Sequence, residues 1–177
     1  MKRLLLSMAL LFAAMTGIYA QTTDEKGNDL DSLYAQKLLK TGAAAPNFSL
    51  PMPNRKVFNL ADNKGKYVLL DFWASWCPDC RKDIPAVKAL YERYGKKVVF
   101  VGVSFDTDHN RWTDCIAKNG MEWLHVSELK RMREANISKT YGVQWIPSMT
   151  LIGPDGKVVL STVVIERMED ALKNIKD

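Results

Sequence analysis

Cys77 and Cys80, which are separated by two residues, are the side chains of this sequence whose type and spacing best suit chemistry. Such a pair can close a small disulfide when the residues between the sulfurs form a turn. Pro78 favours a turn at a helix start, because the first helical residue needs no amide hydrogen bond. The helix dipole and the free backbone N–H groups then favour a thiolate at Cys77.

This asymmetry gives the two cysteines different expected roles. Cys77, at the start of the helix, is expected to attack a disulfide and form a mixed disulfide. Cys80 lies nearly one turn later and deeper, and it is expected to resolve the mixed disulfide. The products are a reduced substrate and an oxidised Cys77–Cys80 pair.

Two other interpretations of the pair compete. A structural zinc site needs four ligands, and the further candidates Cys115, His109 and His125 lack ligand-like spacing. An inert disulfide is the second, but so short a loop constrains the unfolded chain little. We favour redox chemistry because the motif falls at a strand-to-helix junction in a βαβ pattern.

The pattern of apolar residues predicts the elements that must position this pair. A nearly continuous apolar run over 67–73 is typical of a strand buried on both faces. Further strands are predicted over 98–103, 123–126, 148–152 and 157–161, with helices over 78–94, 109–119, 128–141 and 166–175. A short helix over 30–38 and a small hairpin over 48–60 precede them. The alternation indicates one α/β domain with a mixed sheet.

The segment Asp71-Phe-Trp-Ala-Ser-Trp-Cys-Pro-Asp-Cys80 resembles the active-site strand and helix start of thioredoxin-fold proteins. Ala45-Pro-Asn-Phe-Ser-Leu50 and Gly65-Lys-Tyr-Val-Leu-Leu70 are similar to the exported TlpA/ResA-like disulfide reductases, which are related to the AhpC/TSA peroxiredoxins. The resemblance covers roughly Gly42 to the C-terminus. It implies a thioredoxin-like fold, with a central mixed sheet flanked by helices and the hairpin as an N-terminal extension.

The resemblance also implies a cis-proline that faces the dithiol, and Pro147 in Trp145-Ile-Pro-Ser148 fits it. A proline at this place leaves the backbone of Ile146 free to pair with a substrate strand. Candidate substrate contacts are Trp76, Pro78, Asp79 and Ile146.

Two acidic residues are candidate catalytic groups. Asp71 lies inside the apolar strand, where burial of an unpaired carboxylate predicts a raised pKa. It matches the family's buried acid, which implies a general-base role toward Cys80; a solvent-lined structural carboxylate is the alternative. Asp83 shares a helix face with Cys80. Relatives usually carry Glu there for thiol tuning, and an exposed helical carboxylate is the interpretation that we prefer for the shorter Asp83.

The remaining cysteine and the histidines suit structural roles better. Cys115 shares a predicted helix face with Trp112 and Ile116, which indicates a buried core residue rather than a second resolving cysteine. His109 and His125 are interpreted as surface or capping residues.

The N-terminus has the order of a secretory signal peptide over residues 1–20, with Lys2 and Arg3 before an apolar run and a small residue at the cut. An uncleaved membrane anchor is the alternative. Residues 21–41 then form a polar tail with the short helix, and 42–177 form the domain. Cleavage lowers the net charge from +5 to +3, which is too small to indicate a nucleic-acid partner.

These observations predict an exported, periplasmic thiol-disulfide oxidoreductase that acts as a reductase without a cofactor or metal. Its expected partners are protein disulfides and a membrane-linked thiol electron donor, and a monomer is expected. A peroxiredoxin-like peroxidase is one alternative, but Ala74-Ser75-Trp76 before Cys77 does not match that family's loop. A Sco-like copper-binding module is another, but its cysteines are spaced by three residues.

Overall fold

The computed structural model of the chain describes residues 22–24 and 27–175, so the predicted signal peptide lies outside the described residues. The helices are α1 Leu30–Tyr34, α2 Pro78–Tyr94, α3 His109–Asn119, α4 Asn136–Tyr141 and α5 Ile165–Lys173. The strands are β1 Ser49–Pro51, β2 Val57–Asn59, β3 Tyr67–Trp73, β4 Val98–Ser104, β5 Leu124–Ser127, β6 Ser148–Ile152 and β7 Val158–Thr162. Among the helices in these ranges, none has the length and apolar character of a membrane span.

Five strands form one mixed sheet in the order β5-β4-β3-β6-β7. Strands β3, β4 and β5 are parallel, whereas β6 and β7 are antiparallel to their neighbours. The central strand β3 is buried along almost its whole length, as its continuous apolar run predicts. Strands β1 and β2 form the predicted antiparallel hairpin. The predicted α/β fold with a central mixed sheet and an N-terminal hairpin is confirmed.

Helix α2 begins and ends where the sequence predicts. Pro78 occupies its first position, and Cys77 is its N-cap. Its apolar side chains Ile84, Val87 and Leu90 are buried in the core. The start of α2 is therefore held at the end of β3 by both capping and packing.

The helix predicted over 128–141 is wrong in its first half, since α4 spans only Asn136–Tyr141. Leu129 adopts a left-handed backbone with φ 51°, which breaks a right-handed helix at that point. The Glu128 side chain instead accepts a hydrogen bond of 2.9 Å from the backbone N–H of Ile137. Ala135 at the cap position has no side-chain oxygen that could accept from the first turn. The Glu128 carboxylate therefore provides the partner for one amide of that turn.

Residues 29–41, which we call the arm, pack against the domain. Helix α1 is shorter than predicted, and the chain after it buries Ala35 and Leu38. Arg167 on α5 pairs with Asp31 at 2.6 Å and also with Asp29. The polar segment predicted as a tail thus contains charges that attach it to α5.

Candidate active site

The Cys77 and Cys80 sulfurs form a disulfide, with their Cα atoms 5.3 Å apart. The backbone N–H of Cys80 donates to Cys77 Sγ at 3.1 Å, so the sulfur itself caps the helix. In the reduced pair the same amide and the helix dipole stabilise a Cys77 thiolate. Both side chains are buried, Cys77 being 5% exposed and Cys80 3%. The predicted difference in depth is therefore present but small.

A buried carboxylate fixes the loop between β3 and α2. Asp106 accepts hydrogen bonds from the Ser75 backbone N–H at 2.9 Å and from its hydroxyl at 2.6 Å. The Ser104 hydroxyl donates to the same carboxylate at 2.7 Å. Asp106 was not predicted as a site residue, although an acid that follows closely on an apolar strand is a signal of a specific partner. These bonds hold the residues that lead into Cys77.

The Ile146–Pro147 peptide bond is cis, as the resemblance implied. The Ile146 carbonyl oxygen lies 3.8 Å from Cys77 Sγ, which places this loop directly against the dithiol. Trp145, the residue before Ile146, is exposed, and its ring stacks on Tyr34 of the arm with centroids 4.4 Å apart.

The candidate substrate contacts differ in accessibility. Trp76 is 57% exposed, and Pro78 and Asp79 are also exposed. The side chain of Ile146 is buried, so its backbone is the part that adjoins the sulfur. Trp76 and Trp145, which precede Cys77 and Ile146 in the sequence, thus provide exposed aromatic side chains beside the two segments that meet at the dithiol.

Asp71, Asp83, Cys80 and Pro147 line one small cavity. Its volume of about 10 Å³ gives room for about one water molecule. Residues from β3, α2 and the cis-proline loop therefore meet beside Cys80.

Both carboxyl groups at this cavity have raised pKa values. Burial raises the pKa of Asp71 to about 7, and the nearby charge of Asp83 adds to the effect. Burial also raises the pKa of Asp83 to about 6, with further contributions from Glu166 and Asp79. The preferred interpretation of Asp83 as an exposed carboxylate is wrong, because its side chain is half-buried.

The interpretation of His125 as a surface or capping residue is also wrong. It is buried on β5, in one row with Gly102 and Asp71 across the sheet. Its Nε2 lies 3.2 Å from the Met121 carbonyl oxygen and donates to it, and burial lowers the pKa of His125 to about 4. His125 Nδ1 and Trp73 Nε1 have no hydrogen-bond partner among the described residues.

Replacing Gly102 with alanine is expected to destabilise the protein by about 1–3 kcal/mol through overpacking. The added Cβ would lie 2.5 Å from His125 Nδ1 and 3.0 Å from Trp73 Nε1. Chemical denaturation measures the loss. The double variant Gly102→Ala/His125→Ala is the control, since removing the imidazole makes room for the methyl group. Strictly additive losses would show that the two side chains do not compete for this space.

The third cysteine and the other histidine stand apart from the dithiol. Cys115 is half-buried rather than a core residue, because its helix face only partly packs against the core. Burial raises the pKa of its thiol, which disfavours a reactive thiolate. His109 is exposed, with Nε2 3.2 Å from the Pro53 carbonyl oxygen. Over residues 22–24 and 27–175, no three His, Cys, Asp or Glu side chains form a group suited to a metal ion.

Comparison with known proteins agrees with this site. The redoxin family matches residues 40–176. Thiol-disulfide oxidoreductase ResA of Bacillus thuringiensis subsp. konkukian (strain 97-27) is 34% identical over 144 residues, which are 79% of this chain and 81% of the relative.

Solved structures show the same relationship. A thiol-disulfide oxidoreductase from Bacteroides fragilis NCTC 9343 superposes with a TM-score of 0.69 at 29% identity, covering 74% of this chain and 98% of the other. The thioredoxin domain of a thiol-disulfide oxidoreductase from Bacteroides vulgatus gives 0.67 at 28% identity, covering 76% and 99%. With its disulfide at the start of α2, the chain belongs to the redoxin family and is a ResA-like thiol-disulfide oxidoreductase.

Proposed function

We propose that the protein is an exported disulfide reductase in which Cys77 is the nucleophile and Cys80 resolves the mixed disulfide. The observation that carries this proposal is the placement of the two sulfurs. Cys77 caps α2 and adjoins the loop of Pro147, whereas Cys80 adjoins a cavity with two carboxyl groups.

The proposed reaction begins with the reduced protein. The Cys77 thiolate attacks one sulfur of a substrate disulfide, and the other substrate sulfur leaves as a thiolate that takes a proton. Asp71, as a carboxylate, accepts the proton of Cys80. The Cys80 thiolate then attacks Cys77 Sγ, which releases the second substrate sulfur as a thiolate that takes a proton and leaves the Cys77–Cys80 disulfide. Two electrons pass from the protein to the substrate.

The charges around Cys80 support the direction of this reaction. Carboxylates beside Cys80 disfavour a thiolate there, which offsets part of the stabilisation that the helix start gives to the reduced pair at Cys77. Oxidants of this fold work in the opposite way, because a strongly stabilised reduced form draws electrons to them. Asp71 and Asp83 therefore favour a couple that donates electrons.

We propose that the protein acts outside the cytoplasm and that it is a monomer. Protein disulfides are its proposed substrates there. The order of residues 1–20 supports export, either with cleavage of the leader or as an anchored form facing the periplasm. Because that compartment is oxidising, a membrane-linked thiol donor is needed to reduce the Cys77–Cys80 pair again.

Replacing Cys80 with alanine is expected to trap substrates on Cys77 as mixed disulfides that a thiol reductant releases. Without the second sulfur, the intermediate has no intramolecular route to resolution. Non-reducing electrophoresis followed by identification of the trapped proteins measures this. Cys115→Ala in the same background is the matched control and should leave trapping unchanged. Equal trapping by Cys77→Ala, with none by Cys80→Ala, would reverse the assigned roles.

A further inference from the structure

A second recess of the surface is formed in part by the residues that lead to the cis-proline loop. It is a cavity of about 700 Å³, within the size range of binding pockets. Its walls come from the arm, from the segment before α4, from α4 itself and from the residues that lead to Pro147. We call it the basic recess, and it is lined by Lys37, Met132, Arg133, Ser138, Lys139, Gly142, Val143 and Gln144.

Among the described residues that line this recess, three are cations and none is a carboxylate. Lys37, Arg133 and Lys139 are exposed, and none of them forms an ion pair with another described residue. Cations that surround one concave surface raise the local positive potential and attract an anion. The recess therefore has the charge of a site for a carboxylate.

The walls of the recess are held in place. The Ser138 hydroxyl donates to the Met132 carbonyl at 2.5 Å, and the Ser138 carbonyl accepts from the Val143 N–H at 2.8 Å. These bonds join the segment before α4 and the residue Val143 after it to Ser138, which lies inside the helix. A fixed backbone limits the ordering that a ligand must cause to the exposed side chains of the three cations.

The recess lies within reach of a substrate bound at the dithiol. Gln144 lines it, and Ile146, two residues later, has its carbonyl oxygen 3.8 Å from Cys77 Sγ. Two residues of chain span at most about 7 Å, so the recess begins within about 11 Å of the sulfur. An extended polypeptide advances about 3.3 Å per residue, so three residues from the cysteine are long enough to cover about this distance.

We infer that the basic recess selects polypeptide substrates with an acidic side chain about three residues from the cysteine that Cys77 attacks. This inference rests on the proposed function, because it assigns a binding site to the same substrate. Lys37, Arg133 and Lys139 act as specificity-determining residues, and they take no part in the exchange of electrons.

The test uses peptides that contain one intramolecular disulfide and differ at a single position. Glu, Gln or Lys is placed three residues from a cysteine, in one series before it and in a second series after it. The reduced protein is mixed with each peptide, and the second-order rate of peptide reduction is measured. In one of the series we expect the Glu peptide to react about tenfold faster than the Lys peptide at low ionic strength. The preference should fall to about twofold or less in 1 M salt.

The variant Lys37→Gln/Arg133→Gln/Lys139→Gln is expected to lose the preference for Glu, so that the Glu, Gln and Lys peptides are reduced at similar rates. Lys56→Gln/Lys96→Gln/Lys157→Gln is the matched control. It removes the same charge from exposed lysines that do not line the recess, and it should keep the preference.

The outcomes separate this inference from the proposed function. If the Gln peptide is reduced but Glu and Lys peptides react equally in both series, the recess does not select substrates. A preference for Glu that survives in the recess variant, or that disappears equally in the control variant, also overturns the inference. If the protein reduces none of the peptides, the proposed reductase function fails instead.

Discussion

Replacing Asp71 with asparagine is expected to slow the resolving step by about 100-fold at pH 7, since proton transfer by a positioned base contributes at least that much. Asp71 and Cys80 line the same small cavity, and asparagine keeps the size of the side chain but cannot accept the thiol proton. In the unmodified protein the rate of resolution should rise between about pH 6 and 8, as Asp71 ionises with a pKa of about 7. Rapid-quench measurement of the mixed disulfide between pH 5 and 9 records both effects.

The same substitution is expected to stabilise the folded protein at alkaline pH. The pKa of Asp71 is about 7 in the folded protein and 3.8 for the free side chain, so the folded state binds more protons between these values. Stability therefore falls as pH rises from about 4 to 7, and the loss persists above pH 7. Asparagine has no such charge, which makes the variant more stable at pH 8 by up to about 4 kcal/mol. Urea unfolding of both proteins at pH 5 and pH 8 measures the difference.

Asp83→Asn is the matched control for both measurements. Asp83 lines the same cavity but is only half-buried, so its removal should stabilise the protein less. Removing its charge also lowers the pKa of Asp71, which should move the pH profile of resolution to lower pH. Asp71 is not the base if Asp71→Asn keeps the pH dependence of the unmodified protein. If Asp71→Asn lowers the free energy of unfolding at pH 8, the buried charge of Asp71 does not destabilise the folded protein as inferred.

Much of the fold could be predicted because its strongest signals are local. The apolar run of β3 identifies a buried strand without any knowledge of its neighbours. Pro78 marks the first turn of α2, and the cysteine spacing then places both sulfurs at one helix end. The dithiol was therefore predicted from a short stretch of sequence.

The errors arise where partners distant in sequence decide the structure. His125 is buried because Gly102 on the neighbouring strand leaves room for its ring, and this vacancy is not visible in the sequence around His125. Asp106 is fixed by Ser75, 31 residues earlier. Asp83 is half-buried on α2, where Glu166 of α5 is close enough to influence its charge, so its exposure depends on how two helices pack.

Replacing Gly142 with alanine is expected to destabilise the protein by about 2–5 kcal/mol, because two separate costs add. Gly142 ends α4 with φ 70°, a left-handed conformation that strains any residue with a Cβ. The added Cβ would also lie 2.6 Å from the carbonyl carbon of Lys37 and would overlap its oxygen. The two atoms that the Cβ would meet, the carbonyl carbon and oxygen of Lys37, belong to the backbone. They therefore cannot rotate away as the end of a side chain could.

Gly156→Ala separates the two costs of the Gly142 substitution. Gly156 has a φ of 75°, and a Cβ there would meet nothing within 4 Å, so this variant has the backbone strain without the collision. We expect Gly156→Ala to lower the free energy of unfolding by about 1 kcal/mol. The additional loss of stability in Gly142→Ala then measures the collision with the arm. Chemical denaturation of both variants provides the comparison. Equal losses of stability in the two variants would show that the arm moves away from the added methyl group without destabilising the protein.

The collision of the methyl group added in Gly142→Ala with Lys37 is expected to displace the arm. This displacement should also change the basic recess, which the arm helps to form. The arm contains Tyr34, which stacks on Trp145, and Lys37, which lines the basic recess. Gly142→Ala should therefore increase proteolysis after Lys37 and Lys40 and reduce the preference for acidic peptides, while the Gln peptide is still reduced. Gly156→Ala should do neither. If Gly142→Ala keeps the full preference for acidic peptides while its arm is cleaved, Lys37 does not contribute to that selection.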